Sequence, residues 1–411
     1  VKARRNLIAA LDVGTTKVCC FVALPERELR VVGIGHHAAR GIKSGTITNM
    51  EQAESSIVSA VHAAEEMAAE TIHGVLVNIS DRYLASNMRS VEVPIAGHEV
   101  GDADLRRALA QGRAGYAEPD RELIHSIPVG YSIDGNRGIR DPRGMFGERL
   151  GVNMHLVSAA AGAVRNLSNC VGRCHLDIDG FVVSPYASGL ACLVEDEMDL
   201  GVTCIDMGGG TTSIAVFLEG NVVYTDSVPV GGVHVTNDIA RGLSCSLAHA
   251  ERMKTLYGSA LASAQDDREF IDVPLIGEEN PAQANHVPKS LLTGIIEPRL
   301  EETFELVRDR LEGCGFNKLA GRRVVLTGGA SQLQGVRELA SLALDKQVRL
   351  GRPIRIHGLA EATGGPAFAT AAGMLVHAQR SARGLPFAAR GLMDESNRLM
   401  VRFGHWLREN F

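Results

Sequence analysis

Asp12-Val13-Gly14-Thr15-Thr16-Lys17 and Asp206-Met207-Gly208-Gly209-Gly210-Thr211-Thr212 are near-copies of each other, set almost half a chain apart. Each follows an apolar run, residues 7–11 and 202–205, and precedes another, 18–23 and 214–218. The pattern predicts two β-hairpins, each with an acid at the end of its first strand and a glycine-threonine turn. Glycine lets the backbone approach a ligand closely, successive turn N–H groups form an anion-binding concavity, and Thr hydroxyls add donors. An Asp beside such a turn suits Mg2+ held through water. One turn of this kind is weak evidence, but two facing copies predict a grip on the phosphates of one Mg-nucleotide from both sides. Gly14, Thr15, Thr16 and Lys17 would form one jaw, and Gly208, Gly209, Gly210, Thr211 and Thr212 the other. Asp12 and Asp206 would position the metal.

A third element addresses the nucleoside end. Val324-Val325-Leu326-Thr327-Gly328-Gly329-Ala330-Ser331 reads as a buried strand running into a diglycine turn, with residues 333–344 suited to a helix. Gly328, Gly329 and Ala330 would let backbone pack on a flat base or ribose. Gly231-Gly232 opens a helical stretch, and Glu251 and Lys254 are i,i+3 neighbours on a second one. Two readings stand for that pair: contact with ribose and base beside Gly232, or a solvated ion pair.

The chain has 411 residues, 45% hydrophobic and 22% charged, with net charge −6. That length suits two or more domains with sizeable cores. Net acidity, with no basic run outside the tail, argues against nucleic acid as the main partner. Eight Cys lack framework spacing, no N-terminal signal pattern precedes the first strand, and both point to a reducing, cytoplasmic setting. Cys170, Cys174 and His175 have loosely metal-like spacing, but no second cluster completes a site. Gly33-Ile34-Gly35-His36-His37-Ala38 matches a dinucleotide fingerprint by letter, yet no helix pattern opens after it, so that reading fails.

Along the chain, residues 50–70 read as a helix and 75–79 as a buried strand. Residues 82–153 form an αβ unit of their own, with strands at 88–95 and 124–133, a charged helix at 102–114 and a glycine-rich stretch at 141–151. Residues 234–316 are mostly helical, interrupted by a strand at 270–276.

The two phosphate turns and the adenosine-type loop, in that order, resemble the actin, Hsp70 and hexokinase ATPase superfamily. Residues 181–192 and 365–375 look like its two connecting helices, rich in Ala and Gly. Within the superfamily the wording is similar to the FtsA family of bacterial cell-division proteins along nearly the whole chain: Gly41-Ile42-Lys43-Ser44-Gly45, residues 232–243 and 250–258, and Leu326-Thr327-Gly328-Gly329-Ala330. The resemblance implies an actin-like, two-lobed α/β ATPase fold. It divides into subdomain 1A (1–81 and 154–190), an inserted 1C (82–153), 2A (191–233 and 324–379), 2B (234–323), a linker (380–394) and a terminal helix (395–411). It also implies ATP with Mg2+ as cofactor, actin-like self-assembly, other division proteins contacting 1C, and the C-terminal peptide of FtsZ docking on 2B. Lys289, Arg299 and Arg308 are the candidate receptors for that acidic, apolar peptide; each also reads as a solvated surface charge.

The C-terminus tests the resemblance independently. Leu399, Met400, Phe403, Trp406, Leu407 and Phe411 recur at three- and four-residue steps, with Arg398, Arg402 and Arg408 flanking or opposing them. Trp406 is the only Trp of the chain. Such a helix is built to lie in an anionic lipid interface, and it is too short and charged to span one. A terminal helix packed on the domain is the alternative. Residues 380–411 carry net +3 against −9 for the rest, behind a Gly- and Pro-containing stretch that reads as a tether. The resulting expectation is a peripheral protein on the inner face of the cell membrane at the division site. No water activator is visible beyond the two loop Asp, so at most slow hydrolysis is expected. A small-molecule kinase and a pilus-assembly adaptor on the same fold remain the alternatives.

Overall fold

The computed structural model describes residues 7–26, 28–116, 118–277, 285–316 and 320–382. The expected terminal helix, its membrane-facing residues and most of the linker lie outside the described residues. Two sheets repeat one design. In the first lobe β1 (Ile8–Val13), β2 (Lys17–Pro25) and β3 (Leu29–Ala38) form an antiparallel meander. A small hairpin of β4 (Ile42–Lys43) and β5 (Thr46–Ile47) leads into α1 (Met50–Ala68). Then β6 (Gly74–Ile79) joins β1 in parallel.

The insert follows: β7 (Ala85–Pro94), α2 (Asp102–Ala114), β8 (Arg121–Ile133), β9 (Asn136–Ile139) and β10 (Arg149–Ala160), in sheet order β7-β10-β8-β9. Its core is its own, centred on Val93, Leu105, Leu150 and Met154. The chain returns through α3 (Ala161–Arg173) to β11 (Asp177–Val183), parallel to β6. Helices α4 (Ser184–Cys192) and α5 (Glu195–Leu200) lead to the second lobe.

There the design recurs. β12 (Val202–Met207), β13 (Thr212–Leu218) and β14 (Asn221–Val228) form a second antiparallel meander. Helices α6 (Gly232–Gly242) and α7 (Leu247–Tyr257), a short pair β15 (Phe270–Val273) and β16 (Asn285–Pro288), and α8 (Lys289–Gly313) make up its outer part. β17 (Arg323–Thr327) joins β12 in parallel, and after α9 (Val336–Leu344), β18 (Gln347–Leu350) joins β17. Finally β19 (Ile356–His357) returns to the edge of β3, and α10 (Ala369–Ala382) ends the described chain. Strand for strand, β11-β6-β1-β2-β3 matches β18-β17-β12-β13-β14.

Several boundaries differ from the sequence reading. Residues 181–183 finish β11 and do not begin a helix; Val182 and Val183 suit a buried strand end. The second connecting helix starts at Ala369 behind a 3-10 turn (Pro366–Phe368) and runs to Ala382, taking in the first residues of the expected tether. The helix after the diglycine turn starts at Val336, behind a 3-10 turn (Gly329–Gln332). The strand expected at 270–276 stops at Val273. The false dinucleotide fingerprint also gains a cause: α1 lies so close to β3 that a Cβ on Gly35 would sit 1.9 Å from the Ala60 carbonyl oxygen.

α4 and α10 cross between the two sheets, and one apolar core takes in both helices, most of the first sheet and Phe217 and Val325 of the second. At the crossing a Cβ on Gly373 would lie 1.7 Å from the Ala187 carbonyl oxygen. Gly373→Ala should therefore cost about 3 kcal/mol or more through forced separation of the helices. Gly294, in α8, has open space around it, and Gly294→Ala should stabilise by about 0.5–1 kcal/mol. Urea unfolding of the two variants, with shifts of opposite sign, checks the pair.

Candidate functional site

The two hairpins match in register and in turn hydrogen bonding. Asp12 is the penultimate residue of β1, paired with Cys19; Asp206 is the penultimate residue of β12, paired with Ser213. Each turn closes on itself, Gly14 N–H donating to Lys17 O at 3.0 Å and Gly208 N–H to Thr211 O at 2.9 Å. The turns meet: a Cβ on Gly209 would lie 2.5 Å from Thr16, and one on Gly210 2.5 Å from Thr15 Oγ1. Only glycine on the second jaw leaves room for the Thr15 and Thr16 side chains of the first.

Below them opens a cavity of about 510 Å³, within the usual size of a ligand site. Its wall carries Asp12, Gly14, Thr15, Thr16, Lys17, Asp206, Gly208, Gly209, Gly210 and Thr211 from the phosphate turns. Gly232, Glu251, Lys254, Gly328, Gly329 and Ala330 line its other end. Thr212 is the exception among the expected residues: it is fully buried, and its hydroxyl donates to Val230 O at 2.8 Å, holding the end of β14 instead of facing the cavity.

The acids are buried, each 8% exposed. Burial pushes the Asp12 pKa up to about 6; Lys17 pulls it back and the charge of Asp206 adds to the rise. Asp206 is also raised by burial, against the Ser188 and Thr370 hydroxyls, which donate to its Oδ2 at 2.5 and 3.0 Å. Two buried carboxylates that resist ionisation form a donor set that a hard divalent cation would relieve. Asp12 and Asp206 therefore fit the proposed metal, with water completing its coordination. No cluster of three or more His, Cys, Asp or Glu suited to a metal occurs among the described residues.

Lys17 donates from Nζ to Ala367 O and lies 4.3 Å over the Phe368 ring. The amine thus rests on the 3-10 turn (Pro366–Phe368) at the cavity edge, not out in the cavity. At the other end Lys254 pairs with Glu251 at 2.7 Å and donates to Gly232 O and Thr236 Oγ1 at 3.1 and 2.8 Å. The pair is internally bonded and on the cavity wall at once, combining features of both readings.

Sequence reasoning missed a polar layer beneath the jaws. Asn78 accepts from Val13 N–H at 2.6 Å and donates to Ser80 and Ser184, both at 3.1 Å. Ser80, Ser184 and Thr370 reach the cavity, as do Gln332 and Gln334 at the end lined by Gly328, Gly329 and Ala330. A lone Thr in an Ala-rich helix and Asn-x-Ser at the end of an apolar strand were the available signals.

The three basic candidates for a partner peptide do not form one patch. Lys289 pairs with Glu269 and Asp266 at 3.0 and 3.4 Å. Arg299 pairs with Asp238 at 2.5 Å and with Glu302. Arg308, nine residues on and so about 180° around α8, donates to Ala343 O at 3.1 Å beside Arg322 and Lys346. No helix among the described residues is long and apolar enough to cross a membrane.

Comparison with known proteins places these features in context. Residues 203–373 match the family profile described as cell division protein FtsA, and residues 82–158 match the SHS2 domain inserted in FtsA. The chain is 45% identical to cell division protein FtsA of Rhizobium meliloti (strain 1021), over 99% of this chain and 96% of that one. It is 31% identical to that of Escherichia coli (strain K12), over 99% of both. Among solved structures it resembles the PilM-PilN type IV pilus biogenesis complex (TM-score 0.63, 18% identity, 91% of this chain and 99% of that one). It also resembles MreB5 of Spiroplasma citri bound to ADP (TM-score 0.56, 14% identity, 92% and 99%). At these identities the structures show the fold alone, an actin-like one.

Asp12 carries a linkage consequence. Its folded pKa, about 6, exceeds the ordinary aspartate value of 3.8, so its carboxyl disfavours the folded state increasingly as pH rises from about 4 to 6. At pH 7 that cost is about 3 kcal/mol before any cation binds. Asp12→Asn should gain about 1–3 kcal/mol at pH 7, less what the lost Lys17 attraction removes, and almost nothing at pH 4. Denaturant melts of ligand-free protein at both pH values check this.

Proposed function

Because this chain belongs to the FtsA family of cell-division proteins, we propose that its cleft binds Mg-ATP and that the bound state is the assembly-competent one. The family relationship itself sets aside the kinase and pilus-adaptor alternatives, since full-length relatives at 31–45% identity are cell division proteins. What carries the nucleotide reading is one observation: two turns of identical hydrogen bonding touch across a cleft, each with a buried Asp at its base.

The residues divide the work as follows. Turn N–H groups and the Thr15, Thr16 and Thr211 hydroxyls present donors to phosphate oxygens. Asp12 and Asp206 would hold Mg2+ through water, and Thr370 and Ser188 orient Asp206. Lys17 stands at the edge with its charge available to a β- or γ-phosphate once it leaves Ala367. Gly328, Gly329 and Ala330 admit the nucleoside, with Glu251 and Lys254 beside it. Bound Mg-ATP would supply a divalent cation and a tetra-anion to a site with two buried acids and Lys17 at its phosphate end and the Glu251–Lys254 pair at the other. Among the described residues no carboxylate or imidazole lines the cavity beyond Asp12, Asp206 and the Lys254-bound Glu251, which fits slow turnover and a nucleotide used as a structural switch.

Beyond the cleft we assign a membrane-tethered polymer that anchors the FtsZ ring. The amphipathic pattern of residues 395–411 supports lipid attachment. Lys289 and Arg299, with exposed Leu291 on the same helix, support docking of an acidic peptide that would displace the acids now paired with them; Arg308 faces elsewhere and is the weakest of the three. The insert is the surface assigned to further division proteins.

Asp206→Ala should weaken Mg-ATP binding at least 10-fold by titration calorimetry; undiminished affinity would refute the site. Liposome co-sedimentation tests the anchor: the intact chain should pellet with anionic vesicles, and a truncation ending at Arg390 should stay in the supernatant. Equal behaviour of the two would remove the tail from membrane attachment.

A further inference from the structure

In sequence the insert belongs to the first lobe, between β6 and β11, yet its base also touches the second. Ser86 on β7 is the centre of that contact. Its Oγ accepts from Thr225 N–H on β14 at 3.2 Å and lies 2.5 Å from His155 Nε2 on β10. His155 is 0% exposed and Thr225 1%. Burial lowers the His155 pKa to about 4, against the opposing pull of the Val222 backbone on β14, so the imidazole is neutral near pH 7. Val129 on β8 packs against the cores of both lobes. At the rim, Arg140 lies 3.7 Å from Asp199 on α5.

The same base is seated on the connecting helices. His125 on β8 accepts from Val183 N–H at 3.0 Å. Its ring meets Tyr186 of α4 and His377 of α10 with centroids 5.4 and 5.8 Å apart. α10 thus reaches two places. Thr370 bonds Asp206 at the cleft floor, and His377, about two turns on, packs against the insert.

We propose that the insert is a strut latched to both lobes, so that its seating on β14 through Ser86 and closure of the cleft form one coupled equilibrium. This rests on the nucleotide reading above. Lobes joined by a crossing helix pair change their angle by rotating about it. A rotation that moves β14 relative to β11 must either carry the insert along or strip the buried Thr225 N–H of its acceptor, which is costly. Linkage then runs both ways: a ligand that reseats the insert changes nucleotide affinity by the factor with which nucleotide changes the ligand's. The insert becomes a control surface for the cleft, 139 residues of sequence separating the two atoms of its latch.

The test is amide hydrogen exchange on the full chain, with and without saturating Mg-AMPPNP, alongside its dissociation constant. Wild type is compared with Ser86→Ala, Ser86→Thr and the exposed-rim variant Arg140→Ala, which cannot disturb the core. The expected result is that Mg-AMPPNP slows exchange at Thr225 as well as at the phosphate turns. Ser86→Ala should abolish that distant protection and weaken nucleotide binding about 2- to 10-fold, Arg140→Ala should do so less, and Ser86→Thr should restore it. Protection of Gly14 and Gly208 with Thr225 unchanged in wild type would overturn the strut while leaving the nucleotide site standing. Unaltered coupling in Ser86→Ala would overturn it equally. Absence of protection at the phosphate turns themselves would overturn both readings.

Discussion

The two lobes are held by a helix crossing that leaves no room for a side chain. α4 and α10 meet where Gly373 faces the Ala187 carbonyl, and everything functional is placed by that contact. The N-terminal end of α10 delivers Thr370 to Asp206, and the start of α4 delivers Ser184 to the layer under the first jaw. Were the helices a methyl group further apart, the jaws would separate, and Thr15 and Thr16 would lose their close contact with Gly210 and Gly209. The small residues of both helices are thus a condition for the site, not merely for the core.

The cleft is electrostatically unfinished. Burial opposes ionisation of both Asp12 and Asp206, and Lys17, their nearest cation, is shared with a backbone carbonyl and an aromatic face. Folding alone leaves that strain in place; a cation and phosphates would relieve it. By contrast, the polar groups one layer out are mutually satisfied: Asn78 with Val13, Ser80 and Ser184, and Arg349 with Glu197 at 2.5 and 2.8 Å. The structure concentrates its uncompensated charge where a ligand would sit, as perturbed acids in a cleft commonly indicate.

Much of this was legible in advance because the chain writes its central motif twice. The hairpin turns, their acids and the diglycine loop are local patterns, and local patterns survive in sequence. Thr212 misled because its letter copies Thr16 while its register puts it inside β13, bonded to Val230. Residues 181–183 misled because a short apolar run suits strand and helix equally. Ser184 was illegible, and Ser80 and Thr370 left only faint local signals: each is an ordinary polar residue until the fold brings segments over 100 residues apart into one layer. The inserted unit was visible as a change of pattern, whereas its hold on β14 was not, since Ser86 and Thr225 carry no motif.

The repeat is not quite symmetrical, because the last segment of the described chain returns to the first lobe. β19 extends the edge of β3, Phe368 stacks on Phe21 with centroids 5.9 Å apart, and α10 fills the first core. A ribosome makes the chain from β1 toward α10. At about 5–20 residues per second, roughly 20–70 s separate the emergence of β1 from that of α10. Throughout that interval the first lobe lacks one wall, and the second can finish its own sheet first. The part of the protein that is made earliest is therefore sealed last, and its exposed apolar face is what the cell's folding machinery must shelter in the meantime.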